Sequence, residues 1–320
     1  MSLRSNSKIR LLAGPFWSIY IKVLAKFPIA KVPGAFLSDP LPVTLVGYSA
    51  VGAPNLEKIA WQLVTSDQFK EPSYTKWLVA LGQSLTFHRK QWEWIYILQV
   101  LDHFGKLSKN SKGVGFGSGK EPLPSLMASC GCEVLSTDLH AEDAAIKGWV
   151  ASNQHGSQLT DFFYPNICNP EIFKQRVAFR SVDMNNIPHD ISGFDFLWSS
   201  CSLEHLGSLE NGINFVKKSM ACLRPGGVAV HTTEFNLASD DETYESEATS
   251  IYRKQDIIAL AEWAIENGYE IGLINFTPGC EPPDLHIDTP PYSPSLHLRR
   301  FLRRHLITSI GFFIRRKTID

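Results

Sequence analysis

The sequence carries almost no net charge: 31 Lys and Arg stand against 32 Asp and Glu in 320 residues. A nucleic-acid binder needs a basic surplus, so no nucleic-acid partner is expected. Long hydrophobic runs are missing too. The nearest approach, residues 11–30, is interrupted by Gly14, Pro15, Lys22, Lys26 and Pro28, which excludes a bilayer-spanning helix and a signal-peptide core. Of the six cysteines only Cys130 and Cys132 are close. A lone C-x-C without a second pair or a nearby His is not a zinc spacing, so no metal site is expected. The thiols read as reduced core residues of a cytoplasmic protein. Repeats and low-complexity tracts are absent. What remains is 44% hydrophobic and 20% charged, which excludes intrinsic disorder. A chain this long buries about three quarters of its unfolded surface and needs no staples.

The neutral balance is a sum of unlike parts. Residues 1–30 hold five basic residues and no acid, 231–250 hold six acids and no Lys or Arg, and 294–320 hold seven basic residues and one acid. The plain reading of the basic ends is a packed N-terminal helix at 11–30 and, at Arg299–Arg304 and Arg315–Lys317, the solvated face of a helix and a final strand. The other is a peripheral contact with an anionic membrane or glycan.

From about residue 110 the pattern alternates between short apolar runs and helix-compatible stretches. Strands are expected at 113–116, 133–137, 177–181, 194–198, 228–232, 271–276 and 307–314. Helices are expected at 122–129, 141–152, 209–222 and 254–267. This rhythm predicts an α/β fold, a doubly wound Rossmann-like seven-stranded sheet, mostly parallel, with an antiparallel last strand. Before it, Trp94, Ile97, Leu98 and Leu101 fall at i, i+3, i+4 and i+7 of a helix that Gly105 should end. Helical patterning is also expected at 56–64 and from Ser73. The division is thus a mainly helical extension over 1–85 and a core over 86–320.

The strongest local signal is Gly113-Val114-Gly115-Phe116-Gly117-Ser118-Gly119-Lys120, between a strand and a helix. Glycines there let a ligand approach the backbone. Asp138 follows Gly117 by 21 residues and ends the next apolar run. A carboxylate at that point accepts hydrogen bonds from the hydroxyls of an adenosine ribose. A dinucleotide fingerprint would need glycine where Lys120 stands. Glu121, in the first turn of the next helix, would compete with a pyrophosphate for the helix dipole. No G-K-[ST] closes a P-loop. The spacing therefore favours an adenosine ligand without phosphates.

These residues resemble the class I S-adenosylmethionine-dependent methyltransferases over about residues 86–320. Ser181-Val182-Asp183-Met184 resembles the third-strand motif, Phe194-Asp195-Phe196-Leu197-Trp198-Ser199-Ser200-Cys201-Ser202-Leu203-Glu204-His205 the fourth strand and its loop, and Leu223-Arg224-Pro225-Gly226-Gly227 the turn before the fifth. The resemblance implies S-adenosyl-L-methionine as cofactor, held by Gly115, Phe116, Gly117, Gly119, Asp138, Leu139, Asp183, Met184, Ser200 and Cys201. One departure stands out. Gly113 occupies the position of an acid that orients the methionine end. The stretches 115–124 and 231–236 are further similar to an uncharacterised bacterial group, some of whose members lie in surface-polysaccharide gene clusters.

Methyl transfer to a hydroxyl needs an in-line nucleophile and a base. His205 and Glu234, after the fourth strand and on the fifth, are the candidate catalytic residues. His231, Asp288 and Tyr292 are candidate substrate contacts, His231 also reading as a core histidine. The expected function is O-methylation of a sugar or other small hydroxylated acceptor. N-methylation of an amino-sugar or amine, and a non-catalytic S-adenosylmethionine-binding protein, stand beside it; a nicotinamide oxidoreductase fits least. Residues 1–85, 236–250 and 278–295 are expected to cover the cofactor cleft. The sequence does not fix an oligomeric state.

Overall fold

The computed structural model describes residues 34–146, 148–151 and 154–318. The expected N-terminal helix at 11–30 lies outside them. The first elements are β1 (Ala60–Leu63), α1 (Pro72–Ala80) and α2 (Arg89–His103). The alternating half follows as β2 (Lys112–Gly115), α3 (Leu123–Ser129), β3 (Glu133–Asp138), α4 (Ala141–Ile146), α5 (Pro170–Arg176), β4 (Val177–Ser181), β5 (Phe194–Ser200), α6 (Leu209–Ser219) and β6 (Leu223–Asn236). The chain then forms α7 (Lys254–Glu266), β7 (Leu273–Asn275), β8 (Arg299–Leu302) and β9 (His305–Arg315).

Local chemistry sets several boundaries. His88 caps α2 by accepting from Lys90 N at 3.1 Å, and Gly105 leaves the helix at φ 64°. Asn169 and Pro170 open α5, and Ser208 accepts from Asn211 N at 3.0 Å to open α6.

The main sheet runs β8–β9–β6–β5–β2–β3–β4. The five strands from β4 to β6 are parallel to their neighbours, and β9 lies antiparallel to β6 from Ile307↔Asn236 to Arg315↔Val228. Chain order reverses between β2 and β5, so a crevice opens at the carboxyl ends of these two strands. All but the first residue of β5 and nearly all of β6 are buried, as parallel strands covered on both faces should be. All seven expected strands are present. Shorter ones bring the sheet to eleven among the described residues.

Two expectations change. The stretch 56–64 is not helical. Its Ala60–Leu63 is a strand with all four residues buried, antiparallel to β9 and parallel to β7. A strand covered on both faces shows no alternation, so its period is ambiguous in sequence. The second change concerns Arg299–Arg304, a strand and tight turn rather than a helix. Arg303 and Arg304 take φ 50° and 72° between β8 and β9, the positive angles that a two-residue hairpin turn demands.

The segment before residue 86 is bound into the sheet through β1. Trp61 is fully buried, donates from Nε1 to Phe313 O at 2.6 Å and packs on Phe312. Tyr96 of α2 reaches Ala60 O at 2.7 Å. Trp61→Ala should cost about 3–5 kcal/mol, read as a lower urea midpoint; a change below about 1 kcal/mol would contradict this packing.

The core also holds a titrating group. His231 on β6 is fully buried between Phe215 and Phe312, with Nδ1 2.7 Å from Ser199 Oγ. Burial pushes it down to about 3. The unfolded chain therefore binds a proton that the folded chain refuses, and stability falls as pH drops below the unfolded value of about 6.5. From there to about pH 5 the loss from this residue is about 2 kcal/mol. His231→Phe should flatten the pH dependence of the urea midpoint by that amount; an unchanged slope would refute the assignment.

Candidate functional site

The crevice at the switch point is a cleft of about 440 Å³. Its floor is the glycine turn after β2. Ser118 N donates to Thr137 O at 2.9 Å and Thr137 Oγ1 donates to Gly115 O at 2.7 Å, which ties the turn to β3. Gly117 and Gly119 have φ 58° and 52°, and a Cβ on Gly119 would lie 2.9 Å from Gln154 O. Only glycine fits there without strain.

Asp138 ends β3 beside this turn. Its Oδ2 accepts from Gly119 N at 3.1 Å and Gly156 N at 3.0 Å, and its Oδ1 accepts from Leu139 N at 2.8 Å. Burial raises its pKa, and the three N–H groups act against that. The carboxylate is thus aimed, with lone pairs of Oδ1 remaining. Leu139, Gln154, His155, Val182, Met184 and Leu206 continue the wall, with His155 Nε2 2.8 Å from Leu139 O.

The opposite wall comes from the first turn of α2, which no sequence motif marked. Arg89 and Lys90 enter the cleft, and Glu93 sits beneath them with no exposed surface. Glu93 Oε1 accepts from Ser309 Oγ at 2.6 Å, Cys201 Sγ at 3.0 Å and Arg89 Nη1 at 3.1 Å. Burial works to raise its pKa, but Lys90, Arg89 and the two other donors hold it below the usual carboxylate range. Lys90 Nζ donates to Ser200 O at 2.9 Å and Ser200 Oγ at 3.0 Å and pairs with Glu121 at 2.8 Å. Cys201, at φ 46°, carries the backbone out of β5 in a conformation that non-glycine residues rarely adopt. Burial lifts its thiol far above the ordinary range.

The candidate catalytic residues both line the cleft. His205 Nδ1 is 2.7 Å from Ala248 O, and Trp149 packs its edge on the imidazole with centroids 4.5 Å apart. A carbonyl only accepts, so Nδ1 carries the proton and Nε2 keeps a lone pair. Glu204 beside it is fully buried, accepts from Thr233 Oγ1 at 3.0 Å, and has its pKa raised by burial and by the Glu234 charge, with His205 acting against them. Glu234 is 2% exposed. Its Oε1 takes Arg89 Nη2 at 2.8 Å and also Arg300, while its Oε2 makes no hydrogen bond.

Of the expected cofactor contacts, Gly117, Gly119, Asp138, Leu139, Asp183, Met184, Ser200 and Cys201 line the cleft, and Gly115 and Phe116 do not. Phe116 is buried against Phe215. A Cβ on Gly115 would lie 2.3 Å from the Trp198 ring, so that glycine serves close packing. The candidate substrate contacts His231, Asp288 and Tyr292 also lie off the cleft wall. His231 is the core residue described above. Asp288 Oδ2 accepts from His297 Nδ1 at 2.6 Å and from Ser293 N at 2.8 Å, and Tyr292 packs its edge on His297. Through them the loop 278–295 supports the site at one remove. His297 stacks on His88, which does line the cleft, with centroids 4.9 Å apart. Burial, then His297 and Arg89, push His88 down to about 4.

The expected covering segments behave alike. No described residue of 34–85, 236–250 or 278–295 lines the cleft except by proxy, the acidic loop through Ala248 O on His205. The basic tail is only partly solvated. Arg299 is buried and donates to Gly279 O at 2.6 Å, and Arg300 reaches Glu234. Among the described residues no helix is long and apolar enough to cross a membrane, and no cluster of three metal-ligating side chains occurs.

No protein-family model matches the chain, and no curated protein matches its sequence. Solved structures do. A sarcosine dimethylglycine methyltransferase from Galdieria sulphuraria, so described provisionally, is 12% identical over 77% of this chain and 99% of its own, with a TM-score of 0.44. An S-adenosylmethionine-dependent methyltransferase from Methanosarcina mazei is 14% identical over 68% of this chain and 98% of its own, at 0.40. The N-terminal domain of EvdMO1, solved in the presence of SAH and D-fucose, is 12% identical over 70% and 83%, at 0.42. The chain itself shows a mostly parallel sheet with antiparallel carboxyl-terminal strands and a glycine turn at the switch point: a doubly wound α/β fold.

Proposed function

We propose that this protein is an S-adenosylmethionine-dependent methyltransferase that O-methylates a sugar or another small hydroxylated acceptor. The observation that carries the reading is Asp138, held by the N–H groups of Gly119 and Gly156 at the rim of a glycine turn too crowded for side chains. A carboxylate so placed receives the two hydroxyls of a ribose. The turn is a poor phosphate cradle, since Glu121 brings a buried carboxyl to it. The residues therefore fit a nucleoside without phosphates. S-adenosylmethionine, when bound, supplies a methyl group activated on a sulfonium.

The chain's own residues supply the rest. Gly117, Gly119 and Asp138 fix the nucleoside, while Met184 and Leu206 exclude water from its base. His205 has its Nε2 lone pair free to take the proton of an acceptor hydroxyl, because Nδ1 is committed to Ala248 O. Glu234, gripped by Arg89 and Arg300, acts as a positioning group that holds α2 and β8 against the end of β6. Its unpaired Oε2 and the unpaired Oε1 of Glu204 offer acceptors for further hydroxyls. Proximity and orientation in such a cleft are worth up to about 7–11 kcal/mol of barrier.

Asp138→Ala should weaken S-adenosylhomocysteine binding by about 10–100-fold in calorimetry, the worth of hydrogen bonds to a charged group. Unchanged affinity would remove the ribose assignment. His205→Ala should lower methyl transfer to a hydroxyl acceptor about 10²–10⁴-fold, with S-adenosylhomocysteine affinity held within about twofold. The acceptor assay begins with labelled methyl incorporation into glycan, lipid, protein and small-molecule fractions. Label in an amine product with an undiminished His205→Ala rate would overturn O-methylation.

A further inference from the structure

We propose that Glu121 receives the ammonium of an α-amino acid carried by the ligand, and that Lys90 is the positioning residue that keeps this carboxylate in place. The proposal rests on the S-adenosylmethionine reading above and identifies the subsite for the end of that molecule remote from its base.

Glu121 follows Gly119 by two residues, so it stands on the same turn whose N–H holds Asp138. It is 5% exposed and lines the cleft. Its Oε1 takes Lys90 at 2.8 Å, while Oε2 makes no hydrogen bond. Lys90 has no donor to spare for that second oxygen: its other two protons go to Ser200 O and Ser200 Oγ. Burial raises the pKa of Glu121, with Lys90 and, more weakly, Trp94 and Ser200 acting against it. A buried carboxylate oxygen short of a donor is a costly group in the free protein. A ligand ammonium supplies the missing donor and the compensating charge together.

The other carboxyls of the cleft are placed differently: Asp183 lies just after β4, where its Oδ1 accepts from Asn185 N at 2.9 Å. Asp138 is committed to three N–H groups. Glu204 and Glu234 stand after β5 and on β6, on the side of His205. The position before the turn is closed: a Cβ on Gly113 would lie 2.2 Å from the Phe196 ring. No side chain can stand there while Phe196 keeps its place. Where the resemblance implies a carboxylate on the strand before the glycine turn, this chain offers one just after the turn, at Glu121. It takes the stabilising cation from α2, an element outside the alternating half of the fold.

The test compares two ligands in calorimetry: S-adenosylhomocysteine, which has the amino-acid end, and 5′-methylthioadenosine, which lacks it. The wild-type protein should bind the first at least about tenfold more tightly. Glu121→Gln should lose that preference, with S-adenosylhomocysteine weakened at least about tenfold and 5′-methylthioadenosine unchanged within about twofold. Lys90→Met should weaken S-adenosylhomocysteine alone, and increasingly as the pH is lowered from about 8 to about 6, because the buried carboxyl then takes up a proton. Undiminished preference in Glu121→Gln, or equal loss of both ligands in both variants, would overturn the subsite. Binding of neither ligand by the wild-type protein would instead overturn the cofactor reading, and the subsite with it.

Discussion

The structure depends on a buried charge network that joins α2 to three strands. Glu93 has no exposed surface, yet it takes donors from Arg89 on its own helix, Cys201 at the end of β5 and Ser309 on β9. Arg89 goes on to Glu234 on β6, and Lys90 to Ser200 and Glu121. Charges removed from water are tolerated only when each finds partners of good geometry. Here most of the partners, Cys201, Ser309, Glu234 and Ser200, lie more than a hundred residues from α2 in sequence. The network therefore fixes where α2 stands, and α2 in turn forms one wall of the cleft.

That wall divides the labour within the cleft. The side built from β2 and β3 is mostly backbone: glycines, N–H groups and the aimed carboxylate of Asp138, with Glu121 where the turn ends. The side built from α2, the β5 loop and β6 is made of charged side chains. A nucleoside is recognised by the first kind of surface, where shape and a few directed hydrogen bonds suffice. In the proposed methyl transfer the reacting groups meet at the second, where pre-oriented charges need no rearrangement during reaction. Cys201, held at positive φ, is the hinge between the two, because it turns the chain from β5 toward Glu204 and His205.

The periphery supports the cleft without entering it. Asp288, His297 and His88 form a line from the 278–295 loop to the cap of α2. The acidic loop orients His205 through a single carbonyl, Ala248 O. Trp61 and its strand brace β9, which carries Ser309. Changes in these segments act on the site through the posture of Arg89, Lys90 and His205.

The strand rhythm, the antiparallel close, the glycine turn and Asp138 were legible in the sequence, because each is set by neighbours a few residues away. Hydrophobic period, turn chemistry and the acid at a strand end are local properties. The strand Ala60–Leu63 was not legible, since a strand buried on both faces loses its period, and neither was the hairpin at Arg303–Arg304, whose turn uses no glycine or asparagine. Gly115 and Phe116 match a binding motif yet face the core, and His231, Asp288 and Tyr292 stand off the cleft wall, because only packing decides which way a side chain points. The sequence by itself determined the sheet and the glycine turn with its facing carboxylate. The tertiary structure alone decided the charged wall, since Arg89, Lys90, Glu93, Glu121, Glu234 and Arg300 acquire a role only when folding takes them out of water and leaves each dependent on the others.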